Sequence, residues 1–261
     1  MLLEGKRVLV TGAGIGIGRG IALEMARQGA DVVLSYYRSE EGAQSAVEEI
    51  LALGRRAVAM HADLSQVPEC FRLVGEAVEF LGGLDVLVNN AGVTLFKPFE
   101  EVTEADFDFL YGLNIRGQFF CAQRAARVMR EQGNGGVIIN ILSVHALAGF
   151  PGVSVYSGTK GAIMAWTRAL AVELAPYRIR VLGIAPGAIE VPRYYTEIKD
   201  YSAERMGKAI PWGRVGYPED IGKVCAFLAS EQADYIVGET VVVDGGLLAR
   251  MAFFMEGFGE T

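Results

Sequence analysis

Short apolar runs alternate with helical stripes along the whole chain. Residues 7–11 (RVLVT) read as a buried strand, followed by a glycine turn and a helix over about 16–28. A second strand spans 31–36 (DVVLSY), and 40–53 carries Ala43, Ala46, Val47, Ile50 and Leu51 on one helical stripe. A third strand at 57–61 precedes a helix over about 68–81. A fourth at 85–89 (DVLVN) leads to a long helical region that reaches residue 130. Thr103 caps that region, with Glu104 and Asp106 in its first turn. The pattern continues with a strand at 137–142 (VIINIL), a helix at 155–174, a strand at 178–184, an irregular stretch at 187–216, a helix at 218–230 and a last strand at 241–243.

Strands so uniformly apolar are buried on both faces, and repeated βα units of this kind predict an α/β fold. The expectation is a doubly wound, parallel, seven-stranded sheet with helices on both faces. No linker, low-complexity tract or change of composition divides the chain, so one domain over 1–261 is expected, with a substrate lid at about 190–210 and an apolar tail at about 247–261.

Composition narrows the function. The 261 residues are 51% hydrophobic and 21% charged, which excludes wholesale disorder. A net charge of −7 gives no global field that would draw in nucleic acid or anionic lipid. Cys70, Cys121 and Cys225 are scattered, forming neither a disulfide framework nor a zinc spacing, and they suit a reducing cytoplasm. With only His61 and His145, no metal site is expected. The opening Met-Leu-Leu-Glu-Gly-Lys-Arg lacks an apolar export core. Between Gln132 and Thr159 no Asp, Glu, Lys or Arg occurs, but Gly133, Asn140, Ser143, Pro151 and Gly152 speak for a buried strand and a site loop rather than a membrane span.

The first strand runs into Thr11-Gly12-Ala13-Gly14-Ile15-Gly16-Ile17-Gly18. The spacing fits T-G-x-x-x-G-x-G through Gly12, Gly16 and Gly18, and not G-x-G-x-x-G counted from Gly12. Glycines at a first βα junction permit a tight turn and bring backbone amides to a pyrophosphate at a helix N-terminus. A glycine turn needed only for packing is the competing reading. About twenty residues on, an NAD-preferring site offers a carboxylate to the ribose 2′-hydroxyl. Here Tyr36-Tyr37-Arg38-Ser39 precedes the first acid, Glu40. Arg38 and Ser39 are candidates to receive a 2′-phosphate, a mild lean to NADP or to use of both NADP and NAD; as a solvated turn residue, Arg38 would carry no such message.

Tyr156 and Lys160 lie four residues apart, on one face of the 155–174 helix. A free phenol, with pKa near 10, is ionised to about one part in a thousand at neutral pH, and a neighbouring ammonium favours the phenolate. Such a pair suits proton transfer to a carbonyl or from an alcohol. Ser143, just after the VIINIL strand, belongs to the same C-terminal edge of the sheet, where open α/β sheets bind ligands. There it could hold a reacting oxygen; as a strand-end cap it would have no catalytic part.

Taken in order, Thr11-Gly12…Gly16-Gly18, Asn89-Asn90-Ala91-Gly92, Asn114, Ser143 and Tyr156…Lys160 resemble the short-chain dehydrogenase/reductase family over essentially the whole length. The resemblance implies a Rossmann-like fold and a nicotinamide cofactor. It assigns Tyr156 as general acid/base, Ser143 as substrate-orienting hydroxyl and Lys160 as the group that holds the ribose and lowers the Tyr156 pKa. It makes Asn114 the support of a water that links Lys160 to solvent. It also implies cofactor contacts from Gly12, Gly16, Ile17, Gly18, Tyr36, Arg38, Ser39, Asp63, Leu64, Asn90, Ala91, Gly92, Pro186, Gly187 and Ile189, with Asn89 as a tie between strands. One departure is Val191, where the family often has threonine; another is Leu142, at a usual serine.

The run from Ile139 to His145, the loop Pro186-Gly187-Ala188-Ile189 and Tyr36 are similar to bacterial glucose and aldose 1-dehydrogenases of that family. This implies a small-molecule substrate, a sugar, with His145 bonding one of its hydroxyls; His145 as a mere loop cap is the alternative. Reduction of a 3-oxoacyl thioester or small ketone competes with it, and a non-catalytic nucleotide-binding protein is the remaining reading. The helices 103–130 and 155–174 are the pair this family uses for dimer contacts, which implies a homotetramer. The apolar tail is expected to pack on another subunit.

Overall fold

The computed structural model describes residues 1–250. Seven parallel strands form one sheet in the order β3-β2-β1-β4-β5-β6-β7. They are β1 (Arg7–Val10), β2 (Asp31–Tyr36), β3 (Ala57–His61), β4 (Val86–Asn89), β5 (Gly136–Ile141), β6 (Ile179–Pro186) and β7 (Thr240–Val243). The chain winds outward from β1 to β3, then crosses to the other side of β1 to place β4. That reversal opens a crevice at the C-terminal ends of β1 and β4.

Two apolar clusters cover the two faces. On one, α1 (Gly16–Arg27) and α2 (Glu40–Ala52) pack with the late helix over Pro218–Ala229 around Val8, Val10, Ile21, Ile50 and Ile221. On the other, α3 (Val67–Leu81) and a second helical layer pack around Leu9, Leu73, Leu87 and Ile138. Every residue of β6 is buried, as a central strand covered on both sides requires. β6 starts at Ile179 because Arg178 before it is left-handed, with φ 58°.

The long helical region expected after Thr103 is three pieces: α4 (Glu104–Leu110), a π-helical segment (Tyr111–Gly117) and α5 (Gln118–Gln132). Thr103 does cap it, in a reciprocal capping box with Asp106. Asn114 lies within this π-helical segment, and such bulges recur at functional sites. Helix α6 (Ser154–Leu174) follows β5. The predicted irregular stretch contains the short helices α7 (Tyr194–Glu197) and α8 (Ala203–Gly207) before α9 (Pro218–Ala229).

Buried polar groups tie the centre of the sheet together. Asn89 donates to the Gln118 carbonyl at 3.1 Å and to Asn140 at 3.0 Å, and Asn140 donates to Thr167 at 2.9 Å. Asn89 is thus the inter-strand tie that its position in the motif implied. Leu247 and Leu248 turn back onto Asp244. The rest of the expected tail, from residue 251, lies outside the described residues.

Candidate active site

The turn after β1 is built by glycine. Gly12 and Gly16 are left-handed, with φ 63° and 58°, a region where a Cβ is costly. A Cβ on Gly12 would stand 2.9 Å from the Ala91 Cα, so the two strand-end segments meet backbone to backbone. Thr11 fastens them: its hydroxyl accepts from the amides of Asn90 at 3.0 Å and Ala91 at 3.1 Å. The Asn90 carboxamide donates to the carbonyls of Thr11 and Gly12. Asn90 therefore shapes the crevice through the backbone.

Helix α1 begins at Gly16 with no side-chain cap from Ile15 and no acidic residue in its first turn. Its leading amides are donors of the kind a phosphate completes. The turn, the helix end and the bare glycine surface together fit a dinucleotide pyrophosphate.

At the far end of the crevice, the Arg38 guanidinium lies 5.4 Å over the Tyr37 ring, and Tyr36 stands edge-on to His61 with ring centres 5.6 Å apart. Ser39 packs against Gly14, where an added Cβ would come 2.9 Å from the Ser39 Cβ. Asp63 accepts from the Ser65 amide and hydroxyl through one oxygen. Leu64 is buried against α3. At the near end Gly187 donates to Val243 at 2.9 Å, and Ile189 is buried and bridged to Gly216. Val191 packs on the glycine turn, 3.3 Å from where a Cβ on Gly16 would lie. The hydroxyl expected at that position is replaced by an apolar contact.

Between these ends stand the residues of the predicted constellation. Ser143 is buried after β5, and its hydroxyl accepts from the His145 amide at 3.2 Å. The hydroxyls of Ser143 and Thr94 are polar groups near the phenol of Tyr156 that favour its ionised form. Lys160 is buried, donates to the Ile141 carbonyl at 2.7 Å, and places its ammonium 5.7 Å from the centre of the Tyr156 ring. Asn114 accepts from the Val93 amide at 2.9 Å, donates to the Val93 carbonyl at 2.9 Å and donates to Thr159 at 3.2 Å. Its carboxamide is thereby committed to protein partners.

The electrostatics correct one expectation. Burial raises the Tyr156 pKa above its ordinary value, and the groups that draw it back are Thr94, Ser143 and Arg193. Lys160 was expected to be the depressing cation. Instead its ammonium is turned to the Ile141 carbonyl, and burial lowers its own pKa to about 8. His145 lies edge-on to Tyr156, with ring centres 6.0 Å apart, and burial lowers its pKa, so the imidazole is neutral at pH 7.

Thr94 and Thr159 escaped the sequence reading. Thr94 had a usable signal, standing two residues past Gly92 at the same sheet edge as Ser143. Among the described residues no group of three or more His, Cys, Asp or Glu side chains is placed to hold a metal ion. No described helix is long and apolar enough to cross a membrane.

A Rossmann-like sheet with a glycine turn, a cofactor crevice and a Ser, Tyr, Lys cluster at its edge defines an NAD(P)-dependent oxidoreductase acting on CH–OH groups. Residues 12–248 match the family described as enoyl-(acyl carrier protein) reductase. The chain is 43% identical over 257 residues, covering 94% of it and 95% of the relative, to the hydroxynaphthalene reductase-like protein Arp2 of Metarhizium anisopliae. It is 42% identical over 255 residues, covering 96% and 100%, to the L-rhamnose 1-dehydrogenase (NAD(P)(+)) of Azotobacter vinelandii. The structure is similar to that of acetoin dehydrogenase from Enterobacter cloacae, with a TM-score of 0.89 and 38% identity, covering 97% of this chain and 99% of that one. The chain belongs to the short-chain dehydrogenase/reductase family.

Proposed function

We propose that the protein oxidises the C1 hydroxyl of an aldose, and that the observation carrying this reading is the His145 imidazole set edge-on against Tyr156, where burial favours its neutral form. A neutral imidazole both donates and accepts hydrogen bonds, which suits the hydroxyl beside a reacting carbon on a sugar ring. Similarity to an L-rhamnose 1-dehydrogenase supports the same substrate class.

In this reading Tyr156 takes the proton of the substrate hydroxyl, or returns one to a carbonyl, and Ser143 holds the reacting oxygen. Lys160 and Tyr156 hold the ribose of the nicotinamide, and Asn114 secures the wall beside them. Gly12, Gly16, Ile17 and Gly18 hold the pyrophosphate, and Asp63, Leu64, Asn90, Ala91 and Gly92 hold the adenosine side. Pro186, Gly187 and Ile189 line the nicotinamide. When bound, the nicotinamide supplies or receives the hydride.

Cofactor choice is read as dual, with a mild lean to NADP. Arg38 and Ser39 offer donors to a 2′-phosphate, while Glu40, at the start of α2, offers an acceptor to a 2′-hydroxyl. A homotetramer is proposed on the groove of about 530 Å³ between α5 and α6, lined by Phe119, Ala122, Ala126, Leu170 and Leu174. Sedimentation equilibrium tests it.

A second reading, reduction of a ketone on an apolar or aromatic frame, is favoured by the Phe96–Phe150 edge contact and by His145 lying against Phe150. Similarity to acetoin dehydrogenase and to a hydroxynaphthalene reductase-like protein points the same way. Absorbance at 340 nm with NAD and NADP, against a panel of aldoses, acyl thioesters and cyclic ketones, separates the two. Turnover of ketones with none of any aldose would overturn the first reading. No turnover of any substrate by an enzyme that binds cofactor would favour a nucleotide-binding protein.

A further inference from the structure

Two exposed phenylalanines continue a run of rings that starts at the catalytic phenol. His145 lies edge-on to Tyr156 with ring centres 6.0 Å apart, and the Phe150 ring centre lies 5.7 Å from that of His145. Phe96 meets Phe150 edge to face, with ring centres 6.4 Å apart. Both phenylalanines are more than half exposed, at 57% for Phe96 and 56% for Phe150. Single exposed apolar side chains carry no message, but a contiguous apolar surface beside a reacting group marks ligand contact.

The rings sit on two loops that the sheet places side by side. Phe96 follows β4 and Phe150 follows β5, and those strands are neighbours in the sheet. The Lys97 amide donates to the Gly152 carbonyl at 2.8 Å, so the loops are joined next to both rings. Gly152 is left-handed, with φ 78°, where the chain turns into α6. The charge beside Phe96 is drawn away, since the Lys97 ammonium meets Asp106 of the α4 capping box at 2.6 Å. The surface therefore has a polar inner end at His145 and an aromatic outer part.

We propose that Phe150 and Phe96 are specificity-determining residues, forming a stacking wall for the C–H face of an aldopyranose whose hydroxyl edge is read by His145. A pyranose ring has the same division, with hydroxyls around its rim and C–H bonds across its faces. An aromatic face is electron-rich and attracts the weakly positive hydrogens of C–H bonds, besides removing apolar area from water. The proposal rests on the aldose reading, and the experiment keeps the two apart.

Saturation-transfer NMR on the enzyme–NADP complex uses 1,5-anhydro-D-glucitol and 1,5-anhydro-L-rhamnitol, pyranoses with no C1 hydroxyl to oxidise. Saturation is expected to reach the ring C–H protons in wild type and to weaken in Phe150→Ala. With the aldose found active, Phe150→Ala is expected to raise KM about tenfold with kcat within about twofold, as for binding shared by ground and transition states. Phe96→Ala should act in the same direction, and Phe150→Tyr, which keeps the ring, should leave KM within about twofold of wild type. Melting temperature should hold in each variant, because both side chains stand largely in water.

In a His145→Ala background, Phe150→Ala should still raise KM by a similar factor. Loss of that second effect would mean that the ring only props the imidazole, and it overturns the proposal. So does an unaltered KM in Phe150→Ala, equal saturation in wild type and Phe150→Ala, or no saturation of either pyranose. Saturation that depends on Phe150, in an enzyme that turns over no aldose, leaves the wall standing and overturns the aldose reading instead.

Discussion

The Lys160 ammonium donates to the Ile141 carbonyl at 2.7 Å, one strand-end away from the phenol it was expected to serve. The bond is buried, and burial leaves the lysine pKa lowered to about 8. A lysine whose folded pKa lies below its unfolded value of about 10.5 burdens the fold while both states are protonated, below pH 8. That burden is relieved as pH rises from about 8 toward the unfolded value, because only the unfolded chain then binds the proton. Wild type is therefore expected to lose this component of its pH dependence on Lys160→Met, with thermal stability below pH 8 equal to or above wild type. Activity should fall by at least about 10²-fold through loss of the ribose contact. Melting curves at pH 7 and pH 9.5 check the first statement, and initial rates the second.

Gly12 is a position where backbone geometry alone predicts damage. Alanine there meets both a left-handed φ of 63° and the Ala91 Cα at 2.9 Å. Strain of this kind costs about 1–3 kcal/mol. Gly12→Ala should unfold earlier in urea and bind NADP several-fold more weakly by fluorescence. Unchanged values of both would remove the glycine turn from the account.

The strands were legible because a parallel sheet buried on both faces leaves uninterrupted apolar runs. β2 and β3 fall where their runs predict, and the edges of the other strands shift by at most two residues. The catalytic edge was legible because strand ends locate it: Ser143 follows β5, and Tyr156 and Lys160 share one helix face. What the pattern hid was side-chain direction. The π turn at 111–117 has the same apolar stripe as an α-helix, so nothing in the sequence signals its extra residue per turn. The Lys160 rotamer depends on a carbonyl far away in sequence, and the Asn114 side chain is committed to the Val93 backbone of a different element.

His145 gives a pH prediction with a definite sign. Burial lowers its pKa below the ordinary 6.5, so the imidazole is neutral above that value and KM for an aldose should be flat from pH 7 to pH 8. A histidine depressed in the folded state takes up its proton more readily when unfolded, so stability is lost as pH falls through 6.5. His145→Ala should raise the aldose KM roughly tenfold and flatten that acid-side loss of stability. His145→Gln, which keeps a donor and an acceptor, should recover part of the KM. An unaltered KM in His145→Ala would remove the residue from sugar recognition.

Val191 fills the place of a hydroxyl and packs on the turn at Gly16, at the margin of the first apolar cluster. Val191→Thr preserves shape but leaves a hydroxyl in an apolar contact, which costs about 1–3 kcal/mol unless a partner appears. In the protein without cofactor, thermal stability should therefore fall. If the cofactor's carboxamide lies beside the Ile189 loop, it supplies that partner, and the added hydroxyl should strengthen binding. The NADP-induced rise in melting temperature should then be larger in Val191→Thr than in wild type, because a ligand stabilises in proportion to the logarithm of its affinity. Differential scanning fluorimetry across a cofactor series reads both effects. An equal or smaller rise in the variant would place the carboxamide away from this side chain.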